Sequence, residues 1–426
     1  MAATPPVVDD ASSSDDEDGE VVKTQLKNSR WSLVARLAIA GGALLSILIL
    51  QDALKVEDFG RFAAVVGLVA ILGGLARLGA SELMLERIAR DDDGAADAYG
   101  RAMGTTMIAT FVGVALMVAF RPLLLPELPI LFVVSLAAGE LFHVAGMDTA
   151  IRVFNAKKFF RRAGLHAIMS ITIRITAVAS LLIWPAANLE DVGLRYAAAG
   201  LIVWFISISN VSSKIGRPKI SIPRTRQEFT RGATIAVGQT SLTVSTRIDQ
   251  TLLLRLGTPA DTGIYSFGAR IVFNSMLPAQ ALLEVVYPDF FRAGAEGGGS
   301  AHQLARRILK PLLLYGVFAA LVLIGVAPVV EAILDDSFMD VMWVIVAMAG
   351  FPAIRISQNL AGDILSGLGA HATRSRATIS ASVLNILMNV ALIPSLGWVG
   401  AAISTYAADA FLLGAFWFSA SRRRND

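Results

Sequence analysis

Seven ionisable residues stand in stretches that are otherwise continuously apolar: Glu140, Arg174, Arg247, Asp249, Arg270, Arg355 and Asp409. A charge set in hydrocarbon is costly, so such groups either neutralise one another or face a hydrated cavity. Two chemistries follow. In one, Glu140 pairs with Arg174 and Asp409 with Arg355. In the other, arginines gather around an anionic ligand. Guanidinium suits a phosphate because its planar fork of N–H donors matches two oxygens and it does not deprotonate. Arg36, Arg77, Arg247 and Arg270 are the candidates for that contact; Arg36 and Arg77 lie nearer the ends of their segments and tilt the set toward positive.

A second constellation is polar and nearly uncharged. Asn385 and Asn389 are four residues apart and share a helix face. Together with Thr405 and the carboxylate of Asp249 they offer oxygens for a monovalent cation, with too few carboxylates for a tight divalent site. Interhelical hydrogen bonding by asparagine in lipid is the alternative reading. Other chemistry is missing from the sequence. His143, His166, His302 and His371 are scattered without ligand spacing, and neither a Walker-type phosphate loop nor a His-Glu-x-x-His motif occurs. With no cysteine there is no thiol chemistry and no disulfide.

The elements that carry these residues follow from composition. The 426-residue chain is 55% hydrophobic and 17% charged, against about 25% charged in soluble proteins, and its mean hydropathy is +0.61. That is the signature of an all-α polytopic membrane protein. About 20 apolar residues cross a bilayer as a helix. Apolar runs at 31–52, 62–80, 103–120, 127–152, 165–186, 196–212, 232–256, 263–288, 308–328, 341–365, 377–395 and 397–420 predict about twelve transmembrane helices. The remaining loops average about 12 residues and hold no separate soluble domain.

The cations orient the chain. With the N-terminus inside, inner segments hold 24 of the 37 lysines and arginines, and outer loops hold four: Lys55, Arg61, Arg121 and Arg195. Both termini therefore come out cytoplasmic. Trp31, Trp184, Trp343, Trp398 and Trp417 fall near span ends, as an interfacial belt requires. Residues 1–30 form an acidic tail read as disordered; it lacks the apolar run of a cleaved signal. Residues 31–213 form a first six-helix lobe and 232–421 a second. Between them, 214–231 is a basic cytoplasmic linker whose Pro218 and Pro223 argue against one helix and whose cations would attract anionic lipid. Residues 422–426 are a basic tail.

An internal repeat supports the two lobes. At a shift of 203 residues, Lys55–Ala63 matches Thr258–Ser266, equating Asp58 with Asp261, Gly60 with Gly263 and Phe62 with Tyr265. Each segment reads as an outer turn: an aspartate able to cap the next helix, a glycine, then an interfacial aromatic. Parallel halves of this kind place a substrate cavity between them.

Several segments resemble the multidrug/oligosaccharidyl-lipid/polysaccharide exporter superfamily, in its Wzx-like polysaccharide flippase branch. They are Lys55–Ala63 with Leu78-Gly-Ala-Ser-Glu-Leu-Met-Leu-Glu-Arg87, Arg247-Ile-Asp-Gln-Thr-Leu-Leu-Leu254, Asp261-Thr-Gly-Ile-Tyr-Ser266 and Tyr287-Pro-Asp-Phe290. Leu384–Pro394 and Gly397–Ser404 complete the set. The resemblance implies two lobes, alternating access, and flipping of polyprenyl-diphosphate-linked oligosaccharide across the inner (plasma) membrane for surface polysaccharide. It implies a lipid-linked oligosaccharide and membrane lipids as partners, with polymerase and assembly proteins nearby, and no nucleic acid. No cofactor is implied beyond a sodium ion or proton as coupling ion. Asp249, Asn385, Asn389 and Thr405 look like the coupling-ion positions of related flippases, with a backbone carbonyl from Ala401; Asn389 is neutral where an acid can occur, which leaves the ion open. The competing functions are a cation-coupled drug antiporter of the same superfamily, which would want an acidic or aromatic cavity, and a membrane enzyme of polysaccharide assembly, which would want a long outer loop.

Overall fold

The computed structural model describes residues 31, 35, 37–90, 94–221, 226–334 and 336–423. The acidic tail, Arg36 and the last three residues lie outside the described residues. Among the described residues every regular element is helical: α1 (Leu37–Ala53), α2 (Val56–Ala76), α3 (Ala80–Arg90), α4 (Ala95–Leu124), α5 (Ile130–Ala156), α6 (Phe160–Ile183), α7 (Leu189–Ile215) and α8 (Arg226–Leu256). Then follow α9 (Pro259–Asn274), α10 (Leu277–Glu296), α11 (Gly298–Ile333), a short 3-10 turn, α12 (Val341–Met348), α13 (Phe351–Gly367), α14 (His371–Leu396) and α15 (Trp398–Arg422).

The chain is a multi-pass membrane protein. Eight of these helices are long and apolar enough to cross a membrane, and the α12–α13 pair, bent by 46°, makes a ninth. The other three expected spans coincide with α1, α8 and the α9–α10 pair. The 31-residue α8 is less apolar than the other spans, being rich in Thr, Ser and Arg.

Three spans drawn as single helices are broken. The segment 62–80 turns at Leu78 and Gly79, both at positive φ (48° and 58°), before α3 begins. The segments 263–288 and 341–365 break where Pro278 and Pro352 occupy the first turns of α10 and α13. Proline lacks the N–H that an uninterrupted helix would use there, and a first-turn position does not require one. The linker is also shorter than 214–231. Helix α7 runs to Ile215, Gly216 ends it at φ +103°, and α8 starts at Arg226. Of the residues that follow Gly216, Lys219 and Ser221 lie with their backbone against Gly100 and Gly104 of α4.

In the first half α5 packs against α4, α6 and α7; in the second, α13 packs against α10, α11 and α15, and α14 against α8 and α15. The halves meet chiefly where α2 lies on α8 and α9. Glycines seven apart permit that approach. A Cβ on Gly60 would stand 2.1 Å from the Pro259 carbonyl oxygen, one on Gly67 3.0 Å from that of Arg247, and one on Gly74 2.8 Å from Thr240 Oγ1. The contact is reciprocal: a Cβ on Gly263 would stand 2.2 Å from the Val56 carbonyl oxygen. The two glycines equated by the repeat thus touch each other's helix, as a pseudo-twofold axis through the crossing demands. Phe59 closes this contact edge-on to Phe267 and Phe338, at 6.1 and 5.8 Å.

The repeat turns differ from expectation in two respects. Asp58 and Asp261 are not caps. Thr258 caps α9 by accepting from the Asp261 N–H, whereas its counterpart Lys55 gives α2 no side-chain cap and Asp58 pairs with Arg61 at 2.6 Å. Phe62 and Tyr265 are not interfacial either, being 1% and 0% exposed. Phe62 packs edge-on to Tyr196, and the Tyr265 hydroxyl is held by buried polar partners.

Cavity of four arginines between the halves

A cavity of about 420 Å³ lies between the halves, with walls from α1, α2 and α5–α9. Its apolar side is built by Ile47, Leu50, Phe62, Val66 and Val69. Its polar side brings together Arg77, Arg174, Arg247, Arg270, Glu140 and Tyr196. Four guanidinium groups thus face one carboxylate.

Each arginine is placed by a different local device. Arg77 follows the last residue of α2 and is anchored by an Nε–H donated to the Gly73 carbonyl at 3.1 Å. Below it, Arg152 pairs with Asp148 at 2.7 Å and Glu82 at 3.3 Å, and Ser81 donates to Asp148 at 2.8 Å. Arg174 on α6 donates to Glu140 on α5 and lies over the Tyr196 ring of α7 at 5.2 Å. Arg247 on α8 and Arg270 on α9 are half-buried, and among the described residues neither forms a side-chain hydrogen bond or ion pair; the Arg270 Nε is fully enclosed without a partner. A buried guanidinium with unsatisfied donors is expensive unless a ligand supplies the acceptors. Lined by apolar side chains as well as by arginines, the cavity can hold an amphipathic anion.

The Glu140–Arg174 pair and the arginine cluster read from the sequence are therefore one site, while the Arg355–Asp409 pair lies elsewhere. Arg77, Arg247 and Arg270 converge as a group, Arg36 lies outside the described residues, and Arg174 lines the same cavity while paired with Glu140. Tyr196, Thr243 and Asn274 also line it and were missed. Single polar residues in apolar runs carry no sign of which face they present.

The second constellation divides into two clusters. The Tyr265 hydroxyl donates to Asp249 at 2.5 Å and lies 3.2 Å from the Thr405 hydroxyl. Asp249 also accepts the Gln250 backbone N–H at 2.8 Å. Separately, the Asn389 amide donates to the Asn385 carbonyl and side-chain oxygens at 2.9 and 3.0 Å. Asn389 Oδ1 and Asn385 Nδ2 are buried without a partner among the described residues. Ala401 is fully buried on α15. The oxygens expected to form one cation site therefore fall into two groups, Asp249 and Thr405 around the Tyr265 hydroxyl and Asn385 with Asn389. Among the described residues no group of three or more His, Cys, Asp or Glu could hold a metal. Tyr265 had no place in this constellation as read from the sequence, because it was taken for an interfacial aromatic.

Arg355 donates to Asp409 at 2.9 Å between α13 and α15, with side chains 10% and 4% exposed. Removing one partner of such a pair strands the other charge. Asp409→Ala should therefore destabilise the fold by about 3–5 kcal/mol, whereas Arg355→Met with Asp409→Leu should recover most of that loss. Thermal unfolding in detergent checks both; a single variant as stable as the parent would contradict the pairing.

Comparison with known proteins agrees with this architecture. Residues 25–293 match the family model described as polysaccharide biosynthesis protein. A relative from Haloferax volcanii, named a probable low-salt glycan biosynthesis flippase, Agl15, is 24% identical over 262 residues, covering 61% of this chain and 55% of the relative. The chain thus aligns with little more than half of that relative. An inward-facing multidrug resistance MATE family transporter of the MOP superfamily is similar in structure, with TM-score 0.73, 16% identity, and coverage of 92% of this chain and 98% of that one. A MOP superfamily transporter from Pyrococcus furiosus, whose binding pocket is described as reversed in polarity, gives TM-score 0.64 at 14% identity over 95% and 97%. With an all-helical fold in two halves like that of these transporters and more than half its length matched, the chain belongs to the polysaccharide biosynthesis protein family.

Proposed function

We propose that this protein flips polyprenyl-diphosphate-linked oligosaccharide from the cytoplasmic to the outer leaflet of the plasma membrane by alternating access of its two halves. The observation that carries the reading is the pair of half-buried, unpartnered arginines, Arg247 and Arg270, facing Arg77 and Arg174 across an apolar-walled cavity. A diphosphate supplies the acceptors these donors lack, and the apolar wall suits the first isoprenes of the lipid. The family assignment and the glycan flippase relative support the same class of cargo. The cation distribution supports cytoplasmic termini. A drug antiporter is disfavoured because a cationic substrate would meet four arginines. Asp249, Thr405, Asn385, Asn389 and Ala401 would hold a coupling sodium ion, or Asp249 a proton; bound there, either would neutralise the buried carboxylate as the halves move.

The test is transbilayer movement of a polyprenyl-diphosphate oligosaccharide by purified protein in liposomes, with and without a sodium or proton gradient. Protein-dependent movement is expected, and Asp249→Asn should abolish its response to the gradient. Transport of cationic drugs with no lipid movement would replace the flippase reading with the antiporter.

A further inference from the structure

The span that contributes Arg270 and Asn274 to the arginine cavity continues, after its break, into a second hollow in the C-terminal half. This hollow, about 510 Å³ in volume, is lined by Gln280, Glu284 and Tyr287 of α10, Asn359 and Asp363 of α13, and Arg374 of α14. Gln280 follows Asn274 by six residues, or roughly 9 Å along a helical span. The two hollows are thus joined by one broken span, Asn274 lining the first and Gln280 the second.

The chemistry of the hollow differs from that of the arginine cavity. It holds two carboxylates, Glu284 and Asp363, and a single guanidinium, Arg374. Arg374 donates to Ser366 at 2.5 Å and stands 4.0 Å from Asp363, which fixes its fork at the rim. Asp363 is only 8% exposed, Gln280 and Asn359 are half-buried, and their planar amides offer both donors and acceptors. Tyr287 adds a ring braced edge-on by Phe291 at 5.1 Å. Planar amides and carboxylates that grip vicinal hydroxyls, beside a ring that covers an apolar C–H face, form a recognition set for pyranose sugars. The size of the hollow suits a short oligosaccharide.

We propose that this hollow is the glycan subsite of the transporter, binding the uncharged sugars next to the diphosphate while the arginine cavity holds the diphosphate itself. The assignment rests on the flippase reading and adds to it where substrate selectivity resides.

The experiment uses full-length protein in liposomes and two probes: undecaprenyl diphosphate carrying one N-acetylglucosamine, and the same lipid carrying a neutral tetrasaccharide. For Gln280→Ala with Asn359→Ala, the ratio of tetrasaccharide to monosaccharide flipping rates should fall at least tenfold from the parent value. Tyr287→Leu, which removes only the hydroxyl and the ring, should lower the ratio in the same direction. Asn210→Ala, on the opposite half, should leave the ratio where it is. Active variants with the parental ratio would overturn the glycan subsite alone. Failure of the parent protein to move either probe would overturn the flippase reading and the subsite with it.

Discussion

Replacing Arg247 and Arg270 together by alanine should lower the rate of polyprenyl-diphosphate flipping at least a hundredfold. Each arginine offers a charge-assisted hydrogen bond worth about 1.5–3 kcal/mol, and two such losses multiply in rate when the contact is stronger at the barrier than in either leaflet. Neither side chain makes a hydrogen bond or ion pair among the described residues, so the double variant breaks no direct contact and should fold as well as the parent. The contrast with Arg174→Ala is informative, because that change strands Glu140 and costs stability as well as transport. Lysine at 247 and 270 should restore only part of the rate, since a point charge lacks the planar fork. Flipping assays on size-exclusion-matched variants check this; a double alanine variant at the parental rate would remove the arginines from substrate contact.

Gly60→Ile should trap the halves apart at the Gly60 end of α2. The new Cβ would lie 2.1 Å from the Pro259 carbonyl oxygen, and a backbone atom moves only if α9 moves with it. Since α2 belongs to one half and α9 to the other, relief of the clash separates the lobes. The chain has no cysteine, so a single Ala43→Cys in the cavity wall reports access cleanly. In the Gly60→Ile background that cysteine should react with an impermeant maleimide added outside at least tenfold faster, and flipping should drop at least tenfold. Gly325→Ile is the control, because nothing lies within 4 Å of its Cβ position. Unchanged labelling and transport in the Gly60 variant would show that the α2–α9 contact takes no part in the cycle.

Much of this arrangement was legible before any coordinates. Hydropathy and charge are properties of neighbouring residues, and a bilayer imposes one length on every crossing segment. The twelve apolar runs, the depth of Glu140, Arg174, Arg355 and Asp409, and their partners follow from that constraint. The repeat was legible as well, since Gly60 and Gly263 recur with their flanking residues. Family membership followed from the motifs strung along both halves.

The helix breaks were only partly legible, because Pro278 and Pro352 sit inside apolar runs that mask them. Phe62 and Tyr265 were misplaced for a related reason. Their distance from a charged turn measured depth in the membrane, but burial depends on what lies alongside. Likewise, Asp249 could be put on α8 by sequence, yet its bond to Tyr265 requires α8, α9 and α15 to meet.

By itself, then, the sequence determined that this is a many-spanned membrane protein with two related halves, with arginines too deep to be incidental. Tertiary structure decided that Arg77, Arg174, Arg247 and Arg270 face one cavity and that α10, α13 and α14 enclose a separate polar hollow. The reason is rotational. Depth in a bilayer is fixed by position along a helix, whereas convergence is fixed by which face each helix turns to its neighbours. In this chain that orientation is set by close crossings, Gly60 on α9 and Gly67 on α8, whose consequence appears only when both helices are in place.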